Sequence, residues 1–155
     1  MDEKVLEALQ RLNVEYEELI FETPFETTLH SAEMLHTDME HIAKTMVFKA
    51  PFGVIVVIAS GAAKVDNKKF KNRFEVRPVM LKEEELLALT GFEPGSVSPI
   101  GIAGEKLQVY MDRSLLAFCG ETVFPSGGTD RCAIGITPEN LDKAAECHGR
   151  VDVCK

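Results

Sequence analysis

Six consecutive apolar residues, Val54-Ile55-Val56-Val57-Ile58-Ala59, constrain this chain most. Five are β-branched and none is polar, the pattern of a strand covered on both faces rather than one that alternates between core and water. The preceding run, Ala43-Lys44-Thr45-Met46-Val47-Phe48-Lys49, does alternate, and Pro51-Phe52-Gly53 separates the two as a turn. Alternation puts Lys44 on the same side as Met46 and Phe48, beside the central strand. A lysine there either snorkels to solvent or is held next to a cavity.

The remaining periodicities place mixed elements around this pair. Val5, Leu6, Leu9 and Leu12 recur at helical spacing from Asp2 to about Leu12, and Tyr16–Phe21 is strand-like. Thr27 or Thr28 caps a helix carrying Leu29, Ala32 and Leu35, and Asp38 caps a short one through Ile42. Ser60–Lys64 turns, Asp66 caps a basic helix through Phe74, and Val76–Met80 reads as a short strand. Lys82–Leu89 reads as a helix with Leu86, Leu87 and Leu89 inward, closed by Gly91. Strands are expected at Leu107–Met111, Leu115–Phe118, Glu121–Phe124 and Cys132–Ile136, and Thr137-Pro138 opens the last helix. Strands and helices mix without strict alternation, so the expected class is α+β.

Composition narrows the functional classes. At 155 residues and 45% hydrophobic the chain suits one domain, residues 1–155, with its own core. No window approaches the roughly 18 apolar residues of a membrane span, and the first residues lack a basic and then apolar leader, so a soluble, cytoplasmic protein is expected. Cys119, Cys132, Cys147 and Cys154 form no C-x-x-C and read as reduced thiols. Cys147-His148 with Cys154 matches no standard zinc spacing, so no metal is expected and residues beyond 147 read as a loose tail. His30, His36 and His41 do not stack on one helical face and read as surface or cap residues. The net charge of −8 argues against a general nucleic-acid binder. It is uneven, however: residues 1–40 hold eleven acids against two bases, a local charge of −9, while residues 41–82 hold nine bases against two acids, +7. That basic sector is either a solvated face or a weak grip on a phosphate backbone.

Two glycine-rich loops carry more punctuation than connections need. Thr90-Gly-Phe-Glu-Pro-Gly-Ser-Val-Ser-Pro-Ile-Gly101 continues to Gly104, and Pro125-Ser126-Gly127-Gly128-Thr129 lies before the last strand. Both could offer N–H donors to a small anion or carbonyl. No phosphate-loop, dinucleotide, nucleophile-elbow or H-E-x-x-H motif occurs, and Gly101-Ile-Ala-Gly104 has only the outline of a KH loop.

Ile42-Ala-Lys44-Thr45-Met46, the buried strand ending Ser60-Gly61 with Val65-Asp66 beyond, Thr90-Gly91, Gly95-x-x-Ser98-Pro99-Ile100-Gly101, Asp112, Ser126-Gly127-Gly128 and Pro138-Glu-Asn-Leu141 together resemble the YbaK family, from about Glu15 to Ala145. That family comprises free-standing aminoacyl-tRNA deacylases and the editing domain inserted in bacterial prolyl-tRNA synthetases. The resemblance implies a curved, barrel-like mixed β-sheet surrounded by helices, and a trans-editing deacylase that hydrolyses the ester of a mischarged tRNA carrying a small amino acid, without a cofactor. It makes Lys44 the essential lysine and Gly101 a backbone group that positions water or the reacting carbonyl. Phe21, Thr45, Ser98, Pro99, Ile100, Ser126, Gly127 and Gly128 would form the substrate pocket. Lys64, Lys68, Lys69, Lys71 and Arg73 would meet the tRNA acceptor end, with an aminoacyl-tRNA synthetase as a candidate partner. Lys44 and Gly101 are expected to face each other across one cleft.

Two positions depart from the family. Phe21 stands where the best-known cysteinyl-tRNA(Pro) deacylases bring a tyrosine, and Ala133 where they place an acid. These replacements motivate an alternative, a non-catalytic module of the same fold that recognises an amino-acid-like or nucleotide-like ligand.

Overall fold

Val54–Ala59 forms the middle of the central strand in the computed structural model, which describes residues 1–104 and 106–155. Five strands make one mixed sheet in the order β5-β2-β3-β4-β7: β2 (Ile42–Ala50), β3 (Gly53–Ser60), β4 (Leu107–Asp112), β5 (Phe124–Pro125) and β7 (Gly149–Val151). The β2–β3 pair is an antiparallel hairpin with Lys44 opposite Ala59 and Thr45 opposite Ile58, and the other pairings are parallel. Ile55 through Ala59 are fully buried. Their side chains divide by parity, with Val56 and Ile58 in one core and Ile55, Val57 and Ala59 in the other, as a doubly covered strand requires.

The first core is closed by α1 (Glu3–Leu12), α6 (Pro138–Ala144), the loop around Phe92–Ile102 and the small sheet of β1 (Glu17–Ile20) with β6 (Cys132–Gly135). The second is closed by α3 (Asn67–Phe74), whose Phe70 and Phe74 stack between Phe48 and Tyr110. The caps follow the sequence closely: Asp2, Thr27, Asp38, Asp66 and Thr137 each accept a backbone N–H at a helix start, and Asn13 and Gly91 close α1 and α4 (Glu83–Thr90) in the left-handed region.

The α+β class stands, with corrections. Among the described residues the strands do not close into a barrel. Only the isolated bridges Val123–Ile136 and Ser126–Ala133 tie the small sheet to the β5 edge, and β7 ends the other side. Leu115–Phe118 is not a strand, because Asp112 caps Ser114 N–H and starts the short helix α5 (Arg113–Leu116). Val76–Met80 contributes one bridge, Met80 to Phe48. Leu86 packs on the first core, but Leu87 and Leu89 stay exposed. The tail is not loose: β7 joins the sheet, Val65 pairs with Cys154, and Val153 and Cys154 are buried.

Candidate active site

The outer edge of β2 is interrupted, and the interruption makes the site. At one end β5 pairs with Ile42 and Ala43; at the other, Lys49 N–H donates to Val79 O and Leu81 N–H donates to Val47 O. Backbone groups alternate sides along a strand, so Ala43, Thr45, Val47 and Lys49 all turn their N–H and C=O outward. Thr45 lies between the two covered stretches, with its N–H and C=O facing a cleft of about 410 Å3. Its hydroxyl is also buried without a hydrogen-bond partner among the described residues. A hydroxyl left without a partner in this way costs folding free energy.

Lys44 lines the same cleft from the adjacent position. It does not snorkel: its ammonium donates to Ala63 O in the turn after β3. Burial pushes its pKa below the usual lysine value; the Cys154 thiol opposes this, and the charge of Lys64 adds to it. Cys154 is itself pushed up to about 12, by burial and then by Asp112. Asp112 is buried and holds two elements together, accepting Val153 N–H at 2.8 Å and Ser114 N–H at 2.9 Å. The C-terminal segment therefore supplies part of the lysine's setting, which the sequence concealed because no spacing relates residue 154 to residue 44.

Across the cleft stand α2 (Thr28–Met34), with Thr27, Thr28 and Ser31, and the loop residues Gly95 and Val97. Ser126 also lines it; its hydroxyl donates to Ser96 O at 3.0 Å and accepts Gly128 N–H at 3.0 Å, locking the two glycine loops together. Apolar lining comes from Phe25, Leu35, Met80 and Phe124, which residue-by-residue reading did not single out. Phe25 sits in a stretch with no period to mark it, and Met80 ends a stretch read as a short strand, so only the fold brings the two here.

Several expected pocket residues lie elsewhere. Gly101 does not line the cleft opposite Lys44: it has φ +88°, and a Cβ there would lie 2.8 Å from Lys4 O of α1. Its conformation serves a close approach between loop and helix, and Gly95 and Val97 present the loop to the cleft instead. Ser98 and Ile100 are fully buried, with Ser98 Oγ accepting Ile100 N–H at 3.2 Å, and Pro99 is buried beside them. These three shape the loop from behind. Gly127 and Gly128 also face inward, toward Cys132 and toward Asp2 and Phe92. Phe21 is one step removed, its ring 5.3 Å from that of Phe25. Ala133, by contrast, lines the cleft.

The basic residues divide. Lys64 lies beside Lys44, and Lys69 and Arg73 face a second, shallow concavity with Asn72, which Lys68 and Lys71 do not line. Among the described residues no group of three or more His, Cys, Asp or Glu suits a metal ion, and no helix is long and apolar enough to cross a membrane.

The architecture is that of known α+β domains of this size. It superposes on a crystal structure of the hypothetical protein APE2540 with a TM-score of 0.88, covering 99% of this chain and 100% of that one at 24% identity. On a crystal structure of a protein proposed as a trans-editing enzyme for prolyl tRNA synthetase the TM-score is 0.83, covering 100% and 99% at 24% identity. At these identities the likeness is one of fold. The aminoacyl-tRNA editing domain profile matches residues 22–144, and the chain belongs to that family. Uncharacterized protein YwhH of Bacillus subtilis (strain 168) is 39% identical over 136 residues, 87% of this chain and 85% of that protein. Proline–tRNA ligase of Ligilactobacillus salivarius (strain UCC118) is 36% identical over 89 residues, 56% of this chain; the match spans 15% of the ligase.

Proposed function

We propose that this protein is a trans-editing aminoacyl-tRNA deacylase that hydrolyses the ester of a mischarged tRNA carrying a small amino acid. The observation that carries the reading is the pairing of Lys44 with Thr45 at an open strand edge inside the cleft, in a chain of the aminoacyl-tRNA editing domain family. Thr45 offers a backbone N–H, a backbone C=O and a hydroxyl without a partner among the described residues, and Lys44 adds a half-buried cation.

Water adds to the ester carbonyl, and negative charge builds on the carbonyl oxygen. Thr45 N–H, its hydroxyl and the Lys44 ammonium are the donors available to meet that charge, in surroundings where each is worth more than in water. Thr45 C=O accepts from the α-ammonium and holds the amino acid in place. Collapse of the intermediate frees the amino acid and expels the terminal ribose oxygen, which takes the proton the water gives up. An aminoacyl ester is reactive enough that positioning and charge stabilisation suffice. The side chain of the amino acid would rest against Ala43, Ala133, Pro125 and Phe124, a neutral surface suited to a small, uncharged residue. Discrimination among such residues by a methyl group or two is inherently weak.

The names of the relatives point the same way, since one structural neighbour is proposed as a trans-editing enzyme for prolyl tRNA synthetase and several sequence relatives are proline–tRNA ligases. A synthetase partner follows from that reading. The test is a panel of mischarged tRNAs incubated with the wild type and with Lys44→Ala. Ester loss above buffer for at least one small amino acid, abolished by the substitution, is expected. No loss for any member, with a ligand still raising the melting temperature, would make the protein a binding module instead.

A further inference from the structure

A second site lies on the far face of the sheet, where three elements distant in sequence converge. Lys69, Asn72 and Arg73 come from α3, Arg113 from the start of α5, and Arg150 and Asp152 from β7 and the residue after it; together they ring an open concavity of about 590 Å3. Four cations around one carboxylate are unusual on a chain of net charge −8, and residues 69, 72 and 73 share one helical face while Lys68 and Lys71 do not.

Three of the four cations have partners. Asp152 lies 3.1 Å from Lys69 and 3.6 Å from Arg113. Lys69 also donates to Cys154 O at 2.9 Å, and the Arg73 guanidinium sits over the Phe74 and Tyr110 rings at 4.9 and 5.3 Å. Stacking orients Arg73 and ion pairing tethers Lys69 and Arg113, while Arg113 stays 81% exposed with N–H donors free to meet a ligand. Only Leu116 and Val151 add apolar lining, too little for the buried anchor of a protein interface. Preset guanidinium forks in a polar, shallow, positive concavity fit phosphate oxygens.

We propose that this concavity binds the phosphodiester backbone of RNA, extending the editing reading of the cleft, on which it rests, to a docking face for the tRNA body. Lys69 ties the two sites together, since the carbonyl it holds belongs to Cys154, whose thiol faces Lys44. Asp152 moderates the grip, so that a product can leave.

The experiment measures fluorescence anisotropy of a labelled, uncharged tRNA transcript across a salt series, so it needs no hydrolysis. The double variant Arg113→Glu/Arg150→Glu is expected to weaken binding at least tenfold at low salt and to lower the slope of log K against log salt by about two, one per contact. Asp152→Asn is expected to tighten binding, and Lys68→Glu/Lys71→Glu to leave a steeper slope than the arginine pair. Arg113→Gln/Arg150→Gln repeats the test without reversed charge, and melting curves confirm folding. In a folded double variant, unchanged affinity and slope would overturn the proposal, as would loss of binding to an acidic protein partner with tRNA affinity intact. Failure of every ester in the mischarged panel, with tRNA binding still dependent on Arg113 and Arg150, would overturn the editing reading and leave this surface standing.

Discussion

Replacing Thr45 by valine separates stability from function at one atom. The Thr45 hydroxyl oxygen is shielded from solvent and has no partner among the described residues. A hydroxyl buried without a partner costs about 1–3 kcal/mol. Thr45 as a residue is only partly buried, so the lower end, about 1 kcal/mol, is appropriate. Valine keeps the β-branch that the strand prefers and removes the orphan oxygen. For a domain of this length, about 1 kcal/mol corresponds to a melting temperature higher by about 2–4 °C. The same substitution takes one donor from the proposed carbonyl site. A full oxyanion donor is worth about a hundredfold or more in rate, but Thr45 N–H and Lys44 remain, so a loss of about ten- to a hundredfold in kcat is expected. Scanning calorimetry beside deacylation of the best mischarged tRNA reads both quantities, and Thr45→Ser should keep most of the activity. A valine variant that melts lower, or that hydrolyses at the wild-type rate, would refute the assignment of the hydroxyl to substrate.

Other perturbations test the remaining parts. The lowered Lys44 pKa means that the unfolded chain holds more protons than the folded one between that value and 10.5, so stability should climb with pH across this window, and the climb should vanish in Lys44→Met. Editing corrected for spontaneous ester loss should fall as pH rises through the same pKa, and a profile unchanged up to pH 10.5 would exclude the ammonium from the step. Gly101→Ala meets both a positive φ and the Lys4 carbonyl, so about 1–3 kcal/mol of stability should be lost in denaturant titrations while kcat per folded molecule holds. A lower kcat with full stability would instead return Gly101 to the catalytic centre. Burial disfavours charge on His41, but its hydrogen bonds to Asp38 at 2.5 Å and Glu121 at 3.1 Å prevail and raise its pKa. That contribution is present below about pH 6.5 and is lost as pH rises through the raised value. His41→Gln should flatten stability across this window, by less than about 1 kcal/mol because both carboxylates are largely exposed.

What could be read from the chain divides by the range of the physical cause. Caps act within three residues, so Asp38, Asp66 and Thr137 announced their helices, and the parity of Ile55–Ala59 announced a sheet with two covered faces. Alternation put Lys44 beside the central strand but left it open between solvent and cavity; only the resemblance to the family singled out Lys44 and Thr45 as site residues. Leu115–Phe118 misled because four apolar residues carry no period; Asp112, by capping Ser114, decided for helix. Gly101 misled differently. Its glycine was correctly read as a backbone requirement, but the demand comes from α1, nearly a hundred residues away in the chain.

The C-terminal segment shows why the site itself was only half visible. Cys154 resembles an idle tail cysteine in sequence, yet its strand bridge to Val65 and the Val153 hydrogen bond to Asp112 seat it beside Lys44. Lys69 donates to the Cys154 carbonyl from the basic concavity. One short segment thus helps set the electrostatic surroundings of the lysine and anchors a cation of the proposed RNA surface. A perturbation there should register at both sites: Asp112→Asn, which weakens the carboxylate's hold on Val153, should alter the Lys44 pH profile and the salt slope of tRNA binding together. Independent responses would mean that the two faces share a scaffold but no coupling.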